Sequence, residues 1–571
     1  MSGRLERLAD RANPVCIREI RRSLRGRLPI SIFLVVQATL FVLCYGWLEG
    51  TAAHELEGGE GEPILMLIGG VFAVCAWILL PLYAYAWIFG EKRDGTFELL
   101  GLTPLGEGRA ALGRLQAGMV QLLFLLSAMA PFVCFAYLLG GVDVLTIGIA
   151  LVGIFVVAAV YFLAGVAWSH LPEAGPSFFA MGAVLAVLIA FPGSLTATFI
   201  GLLAAGPLDR LGVAAGIAIV VAVLGAIRWL IRRRARGAAE SDKERPRRPI
   251  LIEGLWAVEV EALKKEHVTG SIRVRALDRV TFTFRPGEIT GLVGANGAGK
   301  TTMLRILATI DRPDWGNAWF GADSLAAAPD RLRKRIGFVP DRAGFYTNQT
   351  VEEYLDFFAR ACGLSGDRRR RTLADVVAFA GLDPLRDRPC TGLSKGQAQR
   401  VHFARALLHD PDVFLLDEPM EGLDPRARIE FRELLRALAG QGKAVLLSSH
   451  ILTEMDEFID RLVVLDQGRV VLQGELETLR RRVGLSAIVR LRVRADQEPA
   501  RLERWLLEHP RDRIVRTDGR DVLVELADAN EGGDRLVHDL FEAGVRLESM
   551  KPETPGLEGL FLGATQGTAE A

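Results

Sequence analysis

The sequence predicts a multidomain membrane protein: an all-α domain of six transmembrane spans, an α/β domain built on a phosphate loop, and a small α+β C-terminal appendage. Three observations carry this. Apolar runs of about 20 residues, enough to cross a bilayer as helix, recur before Arg232. A Gly-rich turn between an apolar strand and a helix begins at Gly294. After Gly474, short strand and helix patterns alternate. With 571 residues the chain is long enough for several domains.

Half of the chain is hydrophobic and its mean hydropathy is +0.25. The formal net charge of zero hides an apolar first half and a charged second half. Six cysteines are scattered with no CxxC pair or metal-ligand spacing, which argues against a disulfide framework or a structural metal cluster. The candidate spans are 29–48, 64–89, 115–139, 145–168, 178–203 and 211–231. Pro192-Gly193 interrupts the fifth, which reads either as one span or as a span plus a re-entrant piece. The expected domains are 1–28, a cytoplasmic interfacial helix; 29–231, the six-helix transmembrane domain; 232–250, a polar linker; 251–478, the domain built on the phosphate loop; and 479–571, the appendage.

Lys and Arg placement sets orientation. Arginines crowd the first 28 residues and the stretch "RRRARG" after the sixth run, whereas "EGTAAHELEGGEGEP" after the first run is acidic and has none. Both termini are therefore expected in the cytoplasm, together with "GEKRDGTFELLGLTPLGEGR" between the second and third runs. In "NPVCIREIRRSLRGR", Val15, Ile17, Ile20 and Leu24 fall near one helical face and arginines occupy much of the rest. That pattern predicts a helix lying in the headgroup region, the alternative being a basic juxtamembrane tail that only sets orientation. Gln37 and Gln121 are the polar groups at mid-span. Few charges enter the runs, so no path that would stabilise a bare ion with fixed carboxylates is visible.

In "EITGLVGANGAGKTTMLRILATI", Gly294, Ala295, Asn296, Gly297, Ala298, Gly299, Lys300 and Thr301 fit G-x-x-x-x-G-K-[ST] in full. The glycines let backbone N–H groups close around phosphates. Lys300 reaches the β- and γ-phosphates, and the Thr301 hydroxyl is a ligand for Mg²⁺. In "DVFLLDEP" a buried strand would deliver Asp417 to the same Mg²⁺. Glu418 then stands where it can deprotonate the attacking water.

"LSKGQAQR" resembles the signature motif of ATP-binding cassette (ABC) proteins, with Lys395 in place of a glycine. "EGLDP" resembles the D-loop, with Glu421 where Ser is usual; "LLSSH" carries the switch histidine, His450; and "IGFVPDRAG" resembles the Q-loop, with Asp341 where Gln is usual. The resemblance implies an α/β P-loop ATPase domain that binds ATP and Mg²⁺. It makes Thr301, Asp341 and Asp417 the metal ligands, and Glu418, His450, Lys300 and Asp341 the catalytic set. It adds Thr302, Ser394, Gly396, Gln397, Asp424 and an adenine-facing His267 to the nucleotide contacts. Asp341 is open to two readings: a ligand or a solvated loop residue.

The family sandwiches two ATP molecules between two cassettes, so one set of motifs implies a dimer, with a second copy or a paralogous half-transporter. "NPVCIREI" and "EKRDGTFELLGLTPL" resemble the interfacial helix and the coupling helix of type-2 exporter permeases. The implied function is ATP-driven export of an unidentified amphipathic or lipid-like substrate by a multi-pass protein of the cell membrane, a bacterial inner membrane. Membrane lipids are further partners, and no nucleic acid is expected. The alternative is a mechanical or regulatory ATPase acting on a protein partner. The tail reads as strand, helix, strand, helix, strand, with no catalytic cluster, and is expected to be regulatory or dimer-supporting.

Overall fold

The computed structural model describes residues 12–51, 61–74, 89–93, 95–140, 144, 147–148, 257–269, 272–346, 348–451, 455–483, 488–494, 499–509, 513–526 and 532–553. The fifth and sixth expected spans and the linker lie outside these residues, as do most of the second span and all of the fourth but residues 147–148.

Among the described residues the N-terminal helices include α1 (Pro14–Arg25), α2 (Arg27–Thr51), α3 (Gly61–Val74), α4 (Thr96–Gly101) and α5 (Gly106–Leu138). Asn13 explains where α1 begins. Its side chain accepts the Val15 N–H at 3.0 Å, and Pro14 follows at the first helical position, where no N–H is missed. The same side chain donates to the Arg109 carbonyl at 2.6 Å. A Cβ on Gly113 would come within 2.3 Å of Asn13 Oδ1, so a side chain there would displace the Asn13 cap.

Among the described residues, two stretches, Ile30–Glu49 and Arg109–Leu138, are long and apolar enough to cross a membrane. With α3 they share a cluster of Val36, Leu40, Cys44, Ile64, Ile68, Leu122, Met129 and Ala136. The mid-span amides are satisfied: Gln37 donates to the Ala128 carbonyl at 2.8 Å, and Gln121 to Ser23 Oγ at 2.6 Å. An unpaired amide at that depth would be costly.

From residue 257 the elements are β1 (Val258–Thr269), β2 (Ile272–Phe284), β3 (Ile289–Val293), α6 (Lys300–Leu307), β4 (Trp315–Phe320), β5 (Asp323–Ser324), β6 (Ile336–Val339), α7 (Val351–Ala361), α8 (Gly366–Phe379), α9 (Lys395–Leu407), β7 (Val413–Leu416), α10 (Pro425–Gly440), β8 (Ala444–Ser449), β9 (Arg461–Asp466) and β10 (Arg469–Glu475). The appendage adds β11 (Ile488–Val493), α11 (Pro499–Glu508), β12 (Arg513–Asp518), β13 (Asp521–Glu525), α12 (Gly532–Glu542) and β14 (Leu547–Glu553).

The chain divides into two compact units: residues 1–245 with 342–394, and residues 246–341 with 395–571. Residues 342–394 lie inside the expected 251–478 domain but cluster with the N-terminal helices. Their contacts explain it. Arg25 makes a bidentate pair with Glu353 at 2.7 Å, and Glu353 also closes the capping box with Thr350 that starts α7. The Tyr346 hydroxyl donates to the Thr96 carbonyl, 3.3 Å away at the start of α4.

In the second unit a six-stranded sheet runs β10-β9-β3-β8-β7-β6. It is parallel from β9 to β6. Strands β3, β6, β7 and β8 are buried along their whole length. That is why they read as continuous apolar runs and not as alternating patterns. A second sheet, β2-β1-β4-β5, is antiparallel. The appendage folds as β-α-β-β-α-β with sheet order β12-β13-β11-β14. It has one strand more than the sequence pattern indicates. The added strand is β12, where "RIVRTD" is too arginine-rich to show an apolar alternation.

Candidate functional site

Three parallel strands present the site at their C-terminal ends. β3 leads into the phosphate loop and α6. β7 ends at Asp417. β8, lying between them, ends just before His450. In open parallel sheets this edge is where ligands bind.

The loop has no room for side chains at two of its glycines. A Cβ on Gly294 would sit 2.3 Å from the Leu465 carbonyl, and one on Gly299, at φ +106°, 2.4 Å from the Ala276 carbonyl. Ala295, Asn296 and Gly297 form its exposed crest, with Ala298 buried behind. The Lys300 ammonium is buried inside the loop. It donates to the Gly294 carbonyl at 2.8 Å and the Ala295 carbonyl at 3.3 Å, and stands 3.5 Å from Glu418 Oε1.

Asp417 is fully buried. Burial pushes its carboxyl up, and hydrogen bonds from Ser448 and Thr301 act against that shift. Glu418 holds a left-handed backbone at φ +45°, a conformation that costs a non-glycine residue about 1–2 kcal/mol. Its Oε2 lies 2.9 Å from His450 Nδ1 and accepts the His450 N–H at 3.3 Å. The His267 ring on β1 comes within 3.3 Å of Thr302 Oγ1, beside the start of α6. Asp341 lies two residues past β6 and is half-buried.

Lys300, Thr301, Asp417, Glu418 and His450 are thus brought together, with His267 and Thr302 next to them. Gly396 and Asp424 form a second group. Gly396 lies against Leu423 and Ala427, and the Asp424 carboxylate caps α10 by accepting the Ala427 N–H at 2.8 Å. Gln397 is half-buried one residue further along α9, and Ser394 is exposed just before that helix. Sequence reasoning missed Ser448, whose hydroxyl touches both Asp417 and Glu418. Its signal was present in "LLSSH": a serine beside the Asp417 strand, where the apolar run of β8 ends.

These features define a P-loop nucleotide triphosphatase site. The sequence of residues 277–421 matches the family described as ABC transporter. The chain is 38% identical over 216 residues to the Nod factor export ATP-binding protein I of Ralstonia nicotianae, and spans 38% of itself and 66% of that protein there. It is 33% identical over 296 residues to the daunorubicin/doxorubicin resistance ATP-binding protein DrrA of Streptomyces peucetius, covering 52% of this chain and 89% of that one. To the ABC transporter ATP-binding protein NatA of Bacillus subtilis it is 37% identical, over 36% of this chain and 84% of the other. A solved structure described as the ATP binding subunit of an ABC transporter shares 32% identity, 40% of this chain and 93% of its own, at a TM-score of 0.37. The chain belongs to the ATP-binding cassette family, and its α/β domain binds and hydrolyses ATP.

Proposed function

We propose that this chain is one half of a type-2 ABC exporter, with permease and ATPase fused, and that two halves use ATP to move an amphipathic or lipid-like substrate out of the cytoplasm. The observation that carries the reading is one chain holding both the Lys300–Asp417–Glu418–His450 constellation and apolar helices tied through α1 and α4 to α7. The names of two relatives, one for export and one for drug resistance, support it.

In this reading the loop from Gly294 to Thr302 wraps the phosphates with backbone N–H groups and Lys300 adds a charge. The ammonium rests on two carbonyls and Glu418, partners that a phosphate oxygen replaces. Thr301 and Asp417 would hold Mg²⁺. A hydroxyl and a carboxylate are the hard oxygen donors that this ion takes, and a cation favours the charged form of a carboxyl that burial pushes up. Bound there, Mg²⁺ neutralises phosphate charge. Asp341 is the third candidate ligand. Glu418 removes the proton from water, His450 holds its carboxylate in place, and His267 flanks the base. Ser394, Gly396 and Gln397 face the nucleotide of the partner copy, and Asp424 sets the α10 end of that surface.

Lys300→Ala is expected to lower ATP affinity roughly 10- to 100-fold, the value of one charge-assisted contact of about 1.5–3 kcal/mol. Fluorescent-nucleotide titration reads this directly, and undiminished binding contradicts the phosphate-loop assignment. The exporter reading is tested in proteoliposomes with doxorubicin and a fluorescent phospholipid as probes. ATP-dependent accumulation that Glu418→Gln abolishes supports it. ATPase activity that answers only to an added protein, with no probe moved, favours the mechanical alternative.

A further inference from the structure

Ser448 is completely buried at the C-terminal end of β8, the strand between the phosphate-loop strand and the Asp417 strand. In the sheet it stands opposite Leu292 of β3, and its neighbour Leu447 opposite Leu416 of β7. Its Oγ donates to Asp417 Oδ1 at 2.6 Å and accepts the Glu418 N–H at 2.9 Å. The polarity is forced. An ionised carboxylate only accepts, so the one hydroxyl proton goes to Asp417 and a lone pair is left for Glu418. The Glu418 N–H belongs to the residue whose backbone is strained at φ +45°. That strain persists only where neighbours hold it.

We propose that Ser448 is a positioning residue of the ATPase: a single hydroxyl orients the cation-binding carboxylate of Asp417 and locks the strained backbone that aims Glu418. It touches neither nucleotide nor metal, and acts through the two residues that do. Without it, Asp417 Oδ1 loses the hydroxyl that fixes the direction of the carboxylate. The Glu418 amide loses its anchor, and the carboxylate loses its fixed direction toward His450. An apolar side chain of the same size fills the space and supplies neither bond.

The inference rests on the roles assigned to Asp417 and Glu418 under the proposed function, so the experiment separates the two. Full-length Ser448→Ala, Ser448→Thr and Ser448→Val are compared with wild type and Asp417→Asn. The readouts are kcat, KM for ATP, metal-free ATP affinity, and Mn²⁺ affinity of the ATP-loaded protein by electron paramagnetic resonance. Ser448→Ala and Ser448→Val are expected to lose roughly 10- to 100-fold in kcat and in Mn²⁺ affinity, the usual loss when a partner of a metal ligand is removed. Metal-free ATP affinity stays within about threefold of wild type, because the phosphate loop is intact. Ser448→Thr, which restores the hydroxyl, recovers most of both.

Thr and Val are nearly isosteric, so their comparison decides the matter even where Ala fails to fold. If Val equals Thr, or if both keep wild-type Mn²⁺ affinity and kcat while Asp417→Asn loses them, the positioning role is overturned. If Asp417→Asn also binds Mn²⁺ normally, the assignment of Asp417 itself fails.

Discussion

Glu418→Gln is expected to bind ATP with near wild-type affinity and to hydrolyse it roughly 10²–10⁴-fold more slowly, the range for loss of a positioned general base. The substitution is nearly isosteric. Its amide oxygen can still accept from His450, whose Nδ1 lies 2.9 Å from the native carboxylate. The backbone bond to Ser448 at 2.9 Å does not involve the side chain and should persist. What disappears is basicity, together with the negative charge 3.5 Å from the Lys300 ammonium. That second loss favours phosphate binding, because Lys300 no longer has a competing carboxylate. A slow but tight variant should accumulate ATP-bound dimers, read by analytical ultracentrifugation with and without ATP. Single-turnover hydrolysis at the wild-type rate would remove Glu418 as the base.

The parts of this site that touch phosphate were legible before any coordinates. A glycine pattern, a lysine and an acidic pair at the end of an apolar strand each report local chemistry at fixed spacing. The four strands β3, β6, β7 and β8 were equally legible, since strands buried on both faces leave continuous apolar runs. Other features were hidden because they depend on which elements meet. On the expected apolar face of α1, Leu24 is 66% exposed, whereas Arg18 and Glu19 are buried. No helical periodicity reports that an arginine will be sequestered, since its partners come from residues 91 and 346. For Ser448 the sequence shows a serine at the end of an apolar run but not its partners, which lie just past the neighbouring strand β7. In the "EKRDG" stretch the sequence draws attention to Lys92 and Arg93, yet Glu91 is the buried residue.

Arg18→Ala is expected to cost about 3–5 kcal/mol at the junction of α1 with α5 and α7, the penalty for breaking a buried ion pair and stranding its partners. The Arg18 side chain is 2% exposed. Its Nε donates to Glu19 and its Nη2 to Glu91, each at 2.6 Å, while Arg114 donates to the other Glu91 oxygen at 2.6 Å. Arg18 Cζ lies 3.9 Å from the centroid of the Tyr346 ring and 4.8 Å from that of Phe357. Burial works against the charge, but Glu19, Tyr346 and Glu91 outweigh it and hold the Arg18 pKa above its ordinary value. The Glu91 carboxyl is likewise buried, yet Arg18 and Arg114 hold it below the usual range. Burial raises the Tyr346 hydroxyl to about 12, so it stays a neutral donor to Thr96.

Only a planar, delocalised cation can present its N–H edge to two carboxylates while its central carbon lies over two aromatic rings. Arg18→Lys should therefore fail nearly as badly as Arg18→Ala. Tyr346→Phe, which keeps the ring and removes one hydrogen bond, should cost only about 1 kcal/mol. On the exporter reading this network carries ATP-driven motion into the permease, so its loss should separate the two activities. ATP binding and basal hydrolysis should survive, because none of these groups belongs to the phosphate-loop site. In a Glu418→Gln background, ATP should change hydrogen exchange in α1, α4 and the start of α5, and Arg18→Ala should abolish that change. Lys92→Glu with Arg93→Glu provides the control. If that pair removes the exchange response while Arg18→Ala preserves it, the coupling runs through Lys92 and Arg93 and not through the buried ion pairs.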